Sequence, residues 1–263
     1  MSALREEPSV VVEKFGGASL CSPARVRRAA RRIASLVASG RRVVVVVSAA
    51  GKTTDRILGR LAAVGTPPAP AARSSEAFRR EADRALATGE DLSAALLAAA
   101  LNALGVPARS LRGGEAGIRA RGGFGDASVG VVDARRLRAL LARGVVPVVS
   151  GFQGELPGRE TATFGRGGSD TTAVALAAAL GVPCHLLKEV DGVFDCDPRS
   201  VSGARKIPWL THEALVALSA SGAKVVAHEA ARLAQRHRVP IRVLPITAPP
   251  LDRTCGTFVG GRR

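Results

Sequence analysis

The chain has no tyrosine, a single tryptophan (Trp209) and only 3% aromatic residues. A nucleic-acid surface built on stacked bases therefore has almost no material. Lysine is scarce as well, confined to Lys14, Lys52, Lys188, Lys206 and Lys224. The formal net charge of +16 comes almost wholly from arginine, spread through Ala-rich stretches with short clusters such as Arg27-Arg28 and Arg79-Arg80. Such a surplus can attract nucleic acid or an anionic membrane, but its dispersal fits arginine as the default surface cation, and neither partner is expected. Cys21, Cys184, Cys196 and Cys255 form no C-x-x-C pair, which argues against a metal knuckle and against a disulfide framework. No apolar run is long enough to span a bilayer, and the charged segment Met1 to Glu7 does not read as a signal peptide. The expected setting is cytoplasmic, with reduced thiols.

What is present is an alternation of strand and helix signals. Val10 to Lys14 reads as a strand ending at Phe15-Gly16-Gly17, and Pro23 opens a helix closed by Gly40. Val43 to Val47 is an unbroken β-branched run, as a parallel strand covered on both faces requires. A loop at Ser48 to Thr53 leads to a helix from about Thr54 to Val64. Helices are predicted over Ser75 to Leu86 and Asp91 to Leu104, with strands at Val106 to Leu111, Val129 to Val132 and Val145 to Val149 and a helix at Ala134 to Arg143. The alternation restarts with a helix at Thr171 to Leu180 and a strand at Pro183 to Lys188. Helices at Thr211 to Ser219 and Ala223 to Arg236 precede a strand at Ile241 to Leu244. This pattern predicts an α/β fold with a parallel sheet and crossover helices.

Glycines fall directly after three of these strands, at Gly16-Gly17, Gly51, and Gly151 with Gly154; Gly165, Gly167 and Gly168 precede a helix. Such turns gather at the carboxyl ends of parallel strands, where backbone N–H groups and helix N-termini can meet phosphate oxygens. Gly51-Lys52-Thr53 is not a P-loop, because position 46, where that motif needs glycine, is valine inside a strand. The first strand–turn–helix unit has no G-x-G-x-x-G, and protein-kinase motifs are missing. Lys14 stands one residue before a glycine turn; from the residues alone it reads equally as a ligand-facing cation or as an edge lysine reaching solvent.

Lys14-Phe-Gly-Gly-Ala-Ser19, Val47-Ser-Ala-Ala-Gly-Lys-Thr-Thr-Asp55, Thr88-Gly-Glu90, Ser150-Gly-Phe-Gln-Gly154, Gly165-Arg-Gly-Gly-Ser-Asp-Thr-Thr172, Val190-Asp-Gly-Val-Phe-Asp-Cys-Asp-Pro-Arg199 and Gly222-Ala-Lys-Val225 occur in that order. In this the chain resembles the catalytic domain of aspartate kinases, within the amino-acid kinase superfamily. The resemblance implies a three-layer αβα sandwich around a mainly parallel open sheet. It implies an N-terminal lobe over about residues 1–150, for the amino acid, the phosphate turn and dimerisation, and a nucleotide lobe over about 151–263. It further implies phosphorylation of the L-aspartate side-chain carboxylate by ATP with Mg²⁺, in a homodimer.

The same resemblance assigns roles. Lys14 and Asp170 would be catalytic, with Lys14, Phe15, Gly16 and Gly17 around the transferring phosphoryl group. Thr54, Glu90, Arg166 and Ser169 would hold the amino acid, and Lys188, Glu189, Phe194, Arg199 and Lys224 the nucleotide. No residue is assigned as a direct metal ligand. The chemistry agrees: a guanidinium suits a carboxylate, a carboxylate suits an ammonium, and a carboxylate nucleophile is already ionised at neutral pH. Read alone, Glu90 would be a solvated carboxylate at a helix start.

Departures from the family pattern are also visible. Lys188-Glu189 stands where Thr-Asp or Ser-Asp is usual, which implies altered base or ribose contacts with ATP binding kept, and Ala227-His228-Glu229 stands where His-Pro-Arg is common. The sequence stops near Gly256-Thr257, where relatives continue into regulatory domains; regulation within the chain is not expected, and a separate regulatory subunit is one option. The competing functions are a kinase for another amino acid or analogue and a catalytically silent regulatory subunit.

Overall fold

The computed structural model describes residues 9–65, 75–196, 201–221, 225–252 and 254–261. In chain order the elements are β1 (Val10–Phe15), α1 (Pro23–Ala38), β2 (Arg42–Val47), α2 (Thr53–Val64), α3 (Glu76–Ala103), β3 (Ala108–Leu111), β4 (Ile118–Arg121) and β5 (Ser128–Val132). Then come α4 (Arg135–Ala142), β6 (Val146–Ser150), β7 (Gln153–Leu156), β8 (Glu160–Thr163), α5 (Gly168–Leu180), β9 (Cys184–Lys188), β10 (Val193–Phe194), β11 (Lys206–Ile207) and β12 (Trp209–Leu210). The last are α6 (His212–Ala220), α7 (His228–His237), β13 (Ile241–Pro245) and β14 (Thr257–Val259).

The main sheet has eight strands in the order β12-β14-β13-β9-β1-β2-β6-β3. From β13 to β3 every neighbouring pair is parallel, while β14 runs antiparallel to β13. The five consecutive valines of β2 are wholly buried because both faces of the sheet are covered. Strand alternation sends Val11, Phe15, Val43, Val45 and Val47 towards α1 and α3, and Val12, Val44 and Val46 towards α4, α5 and α7. That is the expected three-layer sandwich. A smaller sheet, β5-β4-β7-β8, packs beside it.

Local signals explain the helix ends. The Ser22 hydroxyl accepts from the Arg25 amide at 3.3 Å and Pro23 takes the first helical position of α1. α5 is buried from Gly168 to Ala177, with its polar residues confined to the first turns, which makes it the central helix of its layer.

Two expectations need correction. The helices predicted over Ser75 to Leu86 and Asp91 to Leu104 are one continuous helix, α3. Gly89 is not a break: a Cβ there would stand 2.8 Å from Ala49 Cβ, so glycine serves the close approach of α3 to the loop after β2. The last helix begins at His228 rather than near Ala223, since 225–227 are non-helical. The hairpin of β7 and β8 was not anticipated, because Gln153 to Thr163 is mostly polar and carries no clean period-two pattern. Among the described residues no helix is long and apolar enough to cross a membrane.

Candidate active site

Three loops meet at the carboxyl end of β1, β2 and β6. The Ser48 amide donates to the Phe15 carbonyl at 3.1 Å, Gly51 to Gly17 at 2.9 Å, and Gly151 to Val47 at 3.0 Å. Gly17 has no room for a side chain, since a Cβ would fall 2.4 Å from the Ala49 carbonyl oxygen. At Gly16 the space is open: a Cβ there would meet only Leu187 O and Lys14 Nζ, each at 3.9 Å. The ammonium of Lys14 therefore lies beside the turn.

Alternation along β1 and β9 points Lys14 and Lys188 to the α5 side. There Asp170, in the first turn of α5, receives both: Lys14 Nζ lies 2.8 Å from Oδ1 and Lys188 Nζ donates to Oδ2 at 2.7 Å. Burial alone would raise the Asp170 pKa, but the charges of Lys14 and Lys188 hold it well below the usual carboxylate range. Burial pulls Lys188 below its ordinary value, opposed by Asp170. The edge-lysine reading of Lys14 is thereby excluded, as the side chain is only 7% exposed.

Glu90 sits mid-helix on α3 and is buried, not at a solvated helix start. Its Oε1 accepts from the Ala49 amide at 2.9 Å, while Oε2 has no partner among the described residues. Burial pushes its pKa up to about 7 against that hydrogen bond, and the charge of Lys14 is felt there as an opposing pull. Ser169 is buried, and its Oγ lies 2.9 Å from where a Gly151 Cβ would stand. Thr54 is half-buried in the first turn of α2, and Arg166 is exposed on the turn before α5. The arrangement thus offers a cationic floor at Lys14 and Lys188, an unsatisfied carboxylate oxygen at Glu90, and glycine turns between them.

The remaining expected residues are placed differently. The Phe15 side chain is wholly buried against the α1 layer, so that position offers backbone only. Glu189 makes an exposed ion pair with Arg25 at 3.1 Å. Phe194 is half-buried in β10, and Arg199 and Lys224 lie outside the described residues.

Asp170 Oδ2 takes the Lys188 hydrogen bond, Oδ1 has only the ion-pair approach of Lys14 and no hydrogen-bond partner among the described residues, and no cluster of three His, Cys, Asp or Glu occurs among them. A single lysine-paired carboxylate is too small a donor set for a resident Mg²⁺ among the described residues. A groove of about 770 Å³ lined by Arg119, Arg136, Glu155 and Arg159 lies on the smaller sheet and contains none of the candidate residues.

One buried group escaped the sequence reading. Glu13, beside Lys14 but on the opposite face of β1, takes Arg32 Nε at 2.8 Å and Nη2 at 2.9 Å, and lies 3.1 Å from His185 Nδ1. Burial would raise its pKa, yet His185 and Arg32 together bring it down to about 2. The only sequence signal was an acid inside a valine strand.

A sequence model of the amino acid kinase family matches residues 9–245. The chain is 43% identical over 237 residues to an aspartokinase of Mycobacterium tuberculosis, a match covering 89% of this chain and 54% of that protein. Among solved structures it resembles an aspartate kinase from Synechocystis, with a TM-score of 0.79 and 35% identity, over 96% of this chain and 40% of that one. It also resembles E. coli aspartokinase III in complex with aspartate and ADP, with a TM-score of 0.81 and 26% identity, over 97% of this chain and 65% of that one. The chain spans about half the length of the curated relatives it matches.

Proposed function

This chain belongs to the amino acid kinase family, and on that footing we propose that it transfers the γ-phosphoryl group of ATP to the side-chain carboxylate of L-aspartate. The observation that carries this reading is Glu90: a buried carboxylate with one oxygen unsatisfied, close enough to Lys14 to feel its charge. An unsatisfied buried acid is costly unless a cation reaches it. The α-ammonium of an amino acid is such a cation, and an N-acylated acceptor would lack it.

In this reading the aspartate carboxylate oxygen forms a bond to the γ-phosphorus while the bond from that phosphorus to the β,γ-bridging oxygen breaks. The electron pair leaves on ADP, and no proton moves, because the nucleophile is already ionised. Catalysis then consists of alignment and charge neutralisation. Lys14 lies at the glycine turn and neutralises charge on the transferring group, and Asp170 fixes where its ammonium points. Arg166, exposed on its turn, is free to take the α-carboxylate, and Ser169 and Thr54 line the acceptor side. Mg²⁺ is proposed to enter on the ATP phosphates, which it neutralises and holds together.

The proposal includes a cytoplasmic homodimer and the division into an acceptor lobe and a nucleotide lobe near residue 150. Leu92 and Leu96 are 60% and 50% exposed along one side of α3, which supports that helix as the dimer face. Leu96→Glu is then expected to shift the sedimenting species from dimer to monomer.

The function is tested by trapping. With ATP, Mg²⁺ and aspartate present, the acyl phosphate formed from the substrate aspartate is captured by hydroxylamine as aspartyl hydroxamate. Formation of the hydroxamate only when aspartate and ATP are both supplied is expected; ATP binding with no hydroxamate would remove the reading.

A further inference from the structure

We propose that Lys188 is a second phosphoryl-facing cation, sharing Asp170 with Lys14, rather than a contact to the base or ribose. The inference rests on the ATP-dependent reading above, but on a different part of the site from the acceptor.

Its basis is positional. β9 lies directly beside β1 in the parallel sheet, with Leu187 opposite Phe15, so Lys188 stands at the same carboxyl-end level as the glycine turn. Its side chain leaves the sheet on the same face as Lys14. One carboxylate thus holds two ammonium groups, through separate oxygens at 2.8 and 2.7 Å. The cluster carries a net charge of about +1, set in a largely buried floor. Like charges held this close repel, and an anion above them relieves that repulsion.

Lys188 is also the more open of the two, 19% exposed against 7% for Lys14. Each ammonium has three donors; Lys188 spends one on Asp170 and Lys14 is ion-paired with it, which leaves donors on both for an incoming oxyanion. The backbone of Lys188 is fixed as well, since its carbonyl accepts the Ile246 amide at 2.8 Å. A rigid strand end and a shared carboxylate pre-organise the ammonium, which is what stabilising charge in a phosphoryl-transfer transition state requires. The lysine standing where relatives commonly carry threonine or serine thereby adds a charge at the reaction centre.

The test uses the full chain as wild type, Lys188→Met, Lys188→Thr and Lys188→Arg. Affinities for ADP and for the β,γ-imido analogue of ATP are measured calorimetrically with Mg²⁺ and no acceptor. The neutral variants are expected to lose about tenfold or more for the triphosphate analogue and less than about threefold for ADP, with Lys188→Arg retaining most of the analogue affinity. With aspartate present, kcat of the neutral variants falls about 100-fold while KM for aspartate stays unchanged. Equal losses for both nucleotides, or none, would overturn the proposal. So would failure of both neutral variants to fold, since the ion pair would then be structural. A wild type that distinguishes the nucleotides in this way but forms no hydroxamate leaves Lys188 in place and removes only the acceptor assignment.

Discussion

The Oε1 of Glu90 accepts the Ala49 amide at 2.9 Å, tying the middle of α3 to the loop after β2. The other oxygen has no hydrogen-bond partner among the described residues. This contact holds an acid in a buried position, where loss of solvent raises its pKa to about 7.

A pH dependence follows, with a definite sign. Glu90 has a pKa raised to about 7, so the empty site holds it largely protonated below that pH. An ammonium binds the ionised form, so the KM for aspartate is expected to fall as pH rises through about 7 and then level. Glu90→Gln should raise that KM by about tenfold or more and flatten its pH profile, with the KM for ATP little changed. Because the folded pKa lies above the unfolded one, the stabilising contribution of protonated Glu90 is complete below its ordinary value of 4.5 and is lost as pH rises through about 7. Aspartate should restore stability in that upper range, which thermal melts with and without it would record.

Glu13 behaves in the opposite sense. Its folded pKa is lowered to about 2, so its contribution is present above 4.5 and is lost as pH falls towards 2. Glu13→Ala leaves Arg32 buried without its carboxylate and is expected to cost about 3–5 kcal/mol. The urea midpoint at neutral pH measures it, and the variant should lose less stability than wild type on acidification.

The two turn glycines should separate fold from function. Gly17→Ala meets the Ala49 carbonyl at 2.4 Å and is expected to destabilise the protein as well as abolish nucleotide binding. Gly16→Ala has 3.9 Å to its nearest neighbours and should fold normally, yet its methyl occupies the space beside Lys14 Nζ. Calorimetric ATP titration alongside a thermal melt distinguishes the pair: Gly16→Ala melts as wild type but binds ATP more weakly.

How much of this was legible in the sequence depends on how local each signal is. The order of strands and crossover helices followed from the β2 valines and the helix periodicities, which are contiguous. Lys14 was singled out because a glycine turn follows it, although its partner could not be known from spacing. The continuity of α3 through Gly89 was not legible, since the reason for glycine there, the approach of Ala49, lies 40 residues earlier. The Glu13–Arg32–His185 group was illegible for the same cause: its members are 19 and 172 residues apart. From the sequence Lys188 reads as a change in base or ribose contact, because only the sheet order, which puts β9 beside β1, brings it to Asp170.

Lys14 carries the central claim, and steady-state ADP release by wild type and Lys14→Met tests it most directly. Asp170 keeps Lys188 as a partner in that variant, so the fold should survive. Aspartate-dependent ADP release by wild type and a loss of about 1,000-fold in kcat for a folded Lys14→Met are expected. Undiminished turnover by that variant would contradict the claim.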